Sequence, residues 1–265
     1  MLKLEKVKLH LGARRPLKIL HVTDAHLSLA DDSDGEDMKK HAAGRRELFM
    51  REAGFPERDP IGYLEEALAM EAVTDGVVVT GDVLDFTSHA NMETARGIFA
   101  GHHPMFCAGN HEFCPKVGIP DSFERRNDIY EKINGIFGGN MYFDSRVVGG
   151  INLIAVDNSY FVWDEKQREL FEAEFAKGLP CLIFAHTPIL DSCLAHNPSH
   201  RDLKPCDGDI DRTRRITAWL IGHPLVKGFF TGHYHVSMTQ ALDGGKTCRV
   251  TAGLFKGEGT LIEID

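Results

Sequence analysis

Little in this chain points to a framework of cross-links. Its six cysteines (Cys107, Cys114, Cys181, Cys193, Cys206 and Cys248) are scattered over 265 residues without a CxxC pair. Reduced, mostly buried thiols in a cytoplasmic protein are therefore expected. Cys193 and Cys206 share one loop-like stretch, but no other feature supports a bridge between them. Long apolar runs are missing too. The first twenty residues, MLKLEKVKLHLGARRPLKIL, carry charges throughout, and no later run reaches membrane-span length, so neither a signal peptide nor a span is expected. Positive charge is scarce: 30 Lys and Arg against 39 Asp and Glu give a net charge of −9, which argues against a nucleic-acid polymer or an anionic membrane as partner. No repeat, low-complexity tract or linker interrupts the chain, so one domain over residues 1–265 is the default. Oligomeric state leaves no readable signal.

What is present is alternation. Apolar segments of strand length fall at Lys18 to Val22, Gly76 to Thr80, Pro104 to Ala108, Ile151 to Val156, Cys181 to Phe184 and Val226 to Phe230. Helical spacing predicts helices at Ile61 to Ala72, Asn91 to Phe99, Asp164 to Ala176 and Asp211 to Ile221. Strands alternating with helices imply an α/β fold with a largely parallel, buried sheet. After His235 short strands around Gly244-Gly245, ending at Thr260 to Ile264, suggest an antiparallel meander closing a second sheet. Two irregular stretches, near 28–60 and 187–211, follow candidate site residues and are expected to form the rim of a site.

Polar residues collect at the ends of the strands. Five apolar segments run into Asp24-Ala25-His26, Gly81-Asp82-Val83-Leu84-Asp85, Gly109-Asn110-His111-Glu112, His186 and Gly232-His233-Tyr234-His235. Loops leaving the carboxyl ends of strands form the ligand crevice of an open α/β sheet. The collected donors are imidazole, carboxylate and amide oxygen without thiolate. Such a set suits Mn, Fe, Zn, Co or Ni, and is too rich in His for Mg or Ca. Alternation along an extended chain would let Asp24 and His26 reach one ion. The glycines before Asp82, Asn110 and His233 are expected to allow tight turns. G-N-H-[D/E] arises by chance in about one chain of this length in a hundred, and the full ordered series far more rarely.

The series D-x-H, G-D-x-x-D, G-N-H-[D/E], H and G-H-x-H resembles the calcineurin-like metallophosphoesterase superfamily, and spans Asp24 to His235. That resemblance implies a four-layer α/β/β/α sandwich of two mixed β-sheets flanked by helices. It also implies two divalent metal ions. Asp24, His26, Asp82 and His235 would hold the first, and Asp82 would bridge to a second held by Asn110, His186 and His233. His111 would face the substrate, with Asp85 behind it as an orienting carboxylate. Ala108 stands where the phosphoprotein phosphatases have Arg, and Asp85-Phe86-Thr87 replaces their D-R-G. Asp85 also stands where purple acid phosphatases have a Tyr ligand. The pattern looks most like the bacterial phosphodiesterase-type branch.

The chemistry implied is hydrolysis of a small phosphate ester, a phosphodiester or a nucleotide-type pyrophosphate, by a hydroxide bridging the two metals. A phosphomonoesterase of the same fold, or a non-catalytic protein-binding scaffold, is the alternative. His111 would protonate the leaving group or stabilise its charge. Arg201, Lys204, Arg212, Arg214 and Arg215 are candidates for gripping a second phosphate. Phe113, Tyr160, Phe161 and Trp163 are candidates for stacking on a base. Each of these has an ordinary solvated or packing role as its competitor.

Overall fold

The computed structural model describes residues 1–189 and 207–265. In chain order, β1 (Lys3–Leu9) and β2 (Leu17–Val22) lead into helices α1 (Gly35–Glu52) and α2 (Pro60–Ala69). Then come β3 (Gly76–Val79), α3 (His89–Phe99), β4 (Met105–Phe106), α4 (Phe123–Ile133), β5 (Phe143–Val148) and β6 (Ile151–Val156). The chain continues through α5 (Glu165–Phe175), β7 (Cys181–Ala185), α6 (Ile210–Gly222), β8 (Val226–Thr231), β9 (Met238–Ala241), β10 (Thr247–Val250) and β11 (Glu258–Ile264). No helix among the described residues is long and apolar enough to cross a membrane.

Two mixed sheets result. One has the order β1-β11-β2-β3-β4, the other β5-β6-β7-β8-β10-β9. Strands β2, β3 and β4 run parallel, as do β6, β7 and β8, so their carboxyl ends lie on one side of each sheet. Fully buried runs such as INLIAV in β6 and CLIFA in β7 follow from cover on both faces. Leu17, Ile19, Val78 and Met105 of the first sheet pack on Leu153, Leu182, Phe184 and Phe230 of the second, forming the layer between them. The outer face of the first sheet packs on α2, α3 and α4, through residues such as Leu64, Leu68, Phe99 and Ile133. The outer face of the second packs on α5 and α6, through Phe171, Phe175, Ile216 and Leu220. The layers are therefore helix, sheet, sheet, helix. Each large apolar side chain fully buried in them contributes about 1.5–3 kcal/mol.

Helix ends follow local chemistry. Asp59 caps α2 ahead of Pro60, and Ser88 caps α3. Asp164 and Gln167 form a reciprocal capping box on α5. Part of the acidic run at 31–37 has a comparable task. Asp34 accepts from the backbone N–H groups of His89 and Ala90, and Asp31 meets the His89 ring, so both carboxylates hold the start of α3.

The end of the chain departs from expectation. β9 and β10 do form an antiparallel pair, but β10 lies parallel to β8, and β11 leaves for the first sheet. There it pairs antiparallel with β2 and parallel with β1, placing Ile262 and Ile264 in the layer between the sheets. Strand β1 and helix α1 have no counterpart in the apolar pattern. β1 is a largely exposed edge strand, and α1 buries only Ala42 and Phe49. Cys107, Cys114 and Cys181 are free thiols. Cys193, Cys206, Arg201, Lys204 and most of the expected rim at 187–211 lie outside the described residues.

Candidate metal centre

Backbone conformation sets the site apart from the rest of the fold. Among the described residues, seven other than glycine have positive φ, and five of them are Asp24 (56°), His26 (50°), Asp82 (50°), His233 (72°) and His235 (57°). A left-handed conformation is uncommon away from glycine, and such residues cluster where a side chain must be aimed. Asp24 and His26 thus converge through two left-handed residues rather than through the pleat of an extended strand. The Asp24 N–H donates to the Gly81 carbonyl and the His26 N–H to that of Asp82, tying these turns together. Close approach is what Gly109 and Gly232 provide. A Cβ at Gly109 would stand 2.2 Å from Asp82 Oδ1, and one at Gly232 would stand 2.0 Å from Thr23 Oγ1 and 2.5 Å from Asp24 Oδ2. At these two positions the tight-turn expectation gives way to crowding.

Among the described residues three overlapping clusters result: Asp24 with His26 and His235, His26 with Asp82 and His111, and Asp82 with His186 and His233, each with its donor atoms within 4.8 Å of one another. The Nε2 atoms of His26 and His235 are 3.0 Å apart, and His186 Nε2 is 3.2 Å from His233 Nδ1. Asp82 Oδ2 stands between the pairs, 3.1 Å from His186 Nε2 and 3.8 Å from His26 Nε2. Asp24 Oδ1 lies 3.6 Å from His26 Nε2 and 3.5 Å from His235 Nε2. Its other oxygen accepts from Thr23 Oγ1 and the His233 N–H.

These residues fit metal ions. Imidazole nitrogens facing one another at 3.0–3.2 Å have the separation expected of ligands sharing an ion at about 2.0–2.1 Å. Asp24 Oδ1 and Asn110 Oδ1 are buried without a hydrogen-bond partner, although such atoms are normally satisfied. Burial disfavours charged rings, yet Asp82 raises His186 to about 9, and Asp24 with Glu52 raises His235 to about 9. Burial likewise opposes ionisation of Asp82, but the surrounding imidazoles, His186 foremost, hold it well below the usual carboxylate range. Rings that carry protons beside ionised carboxylates would exchange those protons for a cation.

Asp85 is fully buried at the back of the site. Its Oδ1 lies 3.1 Å from His26 Nδ1 and 3.2 Å from His111 Nδ1, so it serves both rings rather than His111 alone. His111 Nδ1 is also 2.7 Å from the Asp85 carbonyl, which leaves Nε2 for the cleft. Burial disfavours its charge, but Asp82 and Asp85 raise His111 to about 10. His111 also belongs to a cluster with His26 and Asp82, closer to the metal donors than a purely substrate-facing role requires.

Several functional contacts carry no signal of their own in the sequence. Glu112 accepts from the N–H groups of Asp82, Val83, Leu84 and Gly109, locking the Asp82 turn to the Asn110 turn. Burial and Asp82 push its carboxyl up to about 7 against those donors. Helix α1 sends Arg45 to Asp85, Phe49 to His26 and Glu52 to His235. Of the aromatic candidates, Phe113, Tyr160 and Trp163 are buried in the packing. Phe161 stays partly exposed, with φ 56° and its ring edge-on to His233 at 5.3 Å. Arg212 is engaged by Asp207 and the Trp163 carbonyl, and Arg215 by Glu165.

Residues 17–237 match the family model of the calcineurin-like phosphoesterases. The chain belongs to that family. It is accordingly a phosphoester hydrolase of a family that uses a dinuclear metal centre. Among solved structures it resembles a dimetal phosphatase from Danio rerio, at 14% identity and a TM-score of 0.53, over 91% of this chain and 88% of that one. It also resembles the purple acid phosphatase of yellow lupin (Lupinus luteus) seeds, at 14% identity and a TM-score of 0.53, over 89% of this chain. A 5'-nucleotidase from Candida albicans matches at 13% identity and a TM-score of 0.48, over 93% of this chain. The match spans only 44% of the lupin chain and 47% of the Candida chain. At these identities the likeness is one of fold. A search of curated protein sequences returns no match.

Proposed function

We propose that this phosphoesterase cleaves a phosphodiester or a nucleotide-type pyrophosphate at a two-metal centre. Asp24, His26 and His235 would hold one ion, Asn110, His186 and His233 the other, and Asp82 would be shared. The observation that carries this reading is the position of Asp82 Oδ2 between two facing imidazole pairs. When bound, two such ions supply hydroxide at neutral pH and draw charge from the phosphoryl oxygens. The protein's own residues orient the rest. Asp85 and its carbonyl fix His111 through Nδ1, so Nε2 can deliver a proton to the leaving-group oxygen as the P–O bond breaks. Glu112 holds the Asp82 and Asn110 turns at one spacing.

Among the described residues, the cations bonded to the walls of the centre, Arg45 and Lys256, are spent on Asp85 and Glu52, which suits a diester, with one negative charge on the phosphate, better than a terminal phosphate. Phe161, beside His233, is suited to the apolar body of a nucleotide or aryl group. The test is a panel of aryl and alkyl phosphodiesters, nucleotide pyrophosphates, phosphomonoesters and phosphoserine peptides, assayed with Mn, Fe, Zn, Co and Ni in turn. Diesters or pyrophosphates should give the highest kcat/KM. Faster turnover of monoesters or phosphopeptides across the series would refute the assignment.

A further inference from the structure

Helix α1 is 18 residues long yet buries only Ala42 and Phe49, so core packing does not explain its place. Arg45, Phe49 and Glu52 lie at i, i+4 and i+7, on one helix face, and that face looks at the metal centre. Arg45 forks onto Asp85, with Nε to Oδ2 and Nη2 to Oδ1, both at 2.7 Å. Its guanidinium lies 4.8 Å from the centre of the Phe49 ring, and that ring stacks on His26 at 4.4 Å and 22°. One helical turn on, Glu52 Oε1 stands 3.3 Å from His235 Nδ1 and 3.0 Å from Lys256 Nζ.

We infer that Arg45 is a positioning residue for one half of the centre, and that α1 acts as a clamp on His26 and His235. The inference rests on the two-metal reading and extends it to a residue that touches neither metal donor atoms nor substrate. A two-point guanidinium fork fixes the plane of the Asp85 carboxylate as well as its charge. That plane turns Oδ1 toward both His26 Nδ1 and His111 Nδ1 and leaves Oδ2 to Ser28 Oγ at 3.2 Å. Lys supplies charge without the fork, so it cannot set the plane. The other half is outside the clamp's reach: His186 Nδ1 is held by the Thr80 carbonyl at 2.7 Å.

The test reads metal binding, independently of turnover. Wild type, Arg45→Gln, Arg45→Lys and Glu52→Gln are titrated with Co(II) and with Zn(II), following heat and the visible spectrum of the Co(II) form. Circular dichroism confirms that each variant is folded. Loss of an outer partner of a metal-binding His typically costs 10–100-fold in affinity. One of the two sites should weaken by that order in Arg45→Gln and its Co(II) spectrum should shift, while the other keeps its affinity. Arg45→Lys should keep most of the defect, and Glu52→Gln should weaken the same site. In turnover, Arg45→Gln should lose kcat with little change in KM, because His111 loses its support too. Wild-type affinity in Arg45→Lys, or equal weakening of both sites in Arg45→Gln, would overturn the inference. Should Arg45→Gln fail to fold, Arg45→Lys and Glu52→Gln still decide it. A wild type that binds fewer than two ions would defeat the two-metal reading itself, a result distinct from a failure of the clamp.

Discussion

His26 faces His235 at 3.0 Å and His186 faces His233 at 3.2 Å, yet the two pairs are held by different means. Behind the first pair stand carboxylates, Asp85 at His26 and Glu52 at His235, each neutralised by a cation. Behind His186 stands a peptide carbonyl, that of Thr80 at the end of β3. Thr80 is in turn fixed by the layer between the sheets, where its hydroxyl meets His21 Nε2 at 2.8 Å. One half of the centre therefore depends on ionic contacts from a polar helix, and the other on neutral contacts built into the strands. For His186, strand-end geometry accounts for the support. The first half needs a segment that the sheets do not supply.

The largest effect should come from removing the residue the halves share. Asp82→Ala deletes the oxygen that stands between both imidazole pairs and the acceptor of the His111 N–H. We expect activity to fall about 10³-fold or more, beyond the roughly 10–100-fold typical of outer partners. Metal analysis of the purified variant should show loss at both halves. Two ions retained with near-normal turnover would show the halves to be independent, and Asp82 would not bridge them.

His111 should separate chemistry from metal binding. Its Nδ1 is committed to Asp85, and Nε2 remains for the substrate. His111→Ala should keep both ions and lose about 10²–10⁴-fold in kcat on an alkoxide leaving group, the usual contribution of general acid catalysis. A nitrophenolate leaving group needs no proton and should suffer less. Equal losses for both leaving groups would leave His111 only a phosphate-binding role. Loss of an ion would give weight instead to its cluster with His26 and Asp82.

What the sequence reveals divides between the candidate ligands and the groups behind them. The candidate ligands of both halves are legible because apolar runs of period two or full burial stop at an Asp, Asn or His, which needs no knowledge of distant contacts. Helix α5 was readable to its caps, Asp164 and Ala176, for a similar reason: the signal is local. Helix α1 offers no such signal. Its sequence GEDMKKHAAGRRELFMRE is polar around most of its surface, and the worth of Arg45 and Glu52 lies in partners 40 and 183 residues away. Glu112 was visible as a motif letter, but its task is to bind backbone N–H groups, and a sequence does not display these. The return of β11 to the first sheet was hidden because a short apolar strand has no mark saying which neighbour it will join.

The smallest predicted effect concerns the neutral support of the second half, and it is read as a pH dependence of stability. His21 is fully buried between Phe184 and Phe230, with Nδ1 2.8 Å from Thr251 Oγ1 and Nε2 2.8 Å from Thr80 Oγ1. Burial lowers it to about 3, with Asp24 opposing and Arg249 adding to the drop. The unfolded chain would titrate near the ordinary value of 6.5. Between those two pH values the unfolded state binds the proton and the folded state does not, so the His21 contribution to stability is full above 6.5 and falls as pH drops toward 3. One such group contributes at most about 1.4 kcal/mol per pH unit, roughly tenfold in the folding equilibrium. Urea unfolding of the chelator-treated protein from pH 4.5 to 7.5 is free of metal release, and because Glu112 contributes an opposing slope in that window, the share of His21 is the difference between wild type and variant. His21→Asn keeps an amide that can bond a hydroxyl and cannot titrate, so its stability should be lower at pH 7 but flatter toward acid. Loss of Arg45, by contrast, should leave this acid slope in place, because the clamp acts on the other half. An unchanged slope in His21→Asn would mean that the ring does not sit neutral between the sheets, and the contrast between ionic and neutral support would fail at its neutral end.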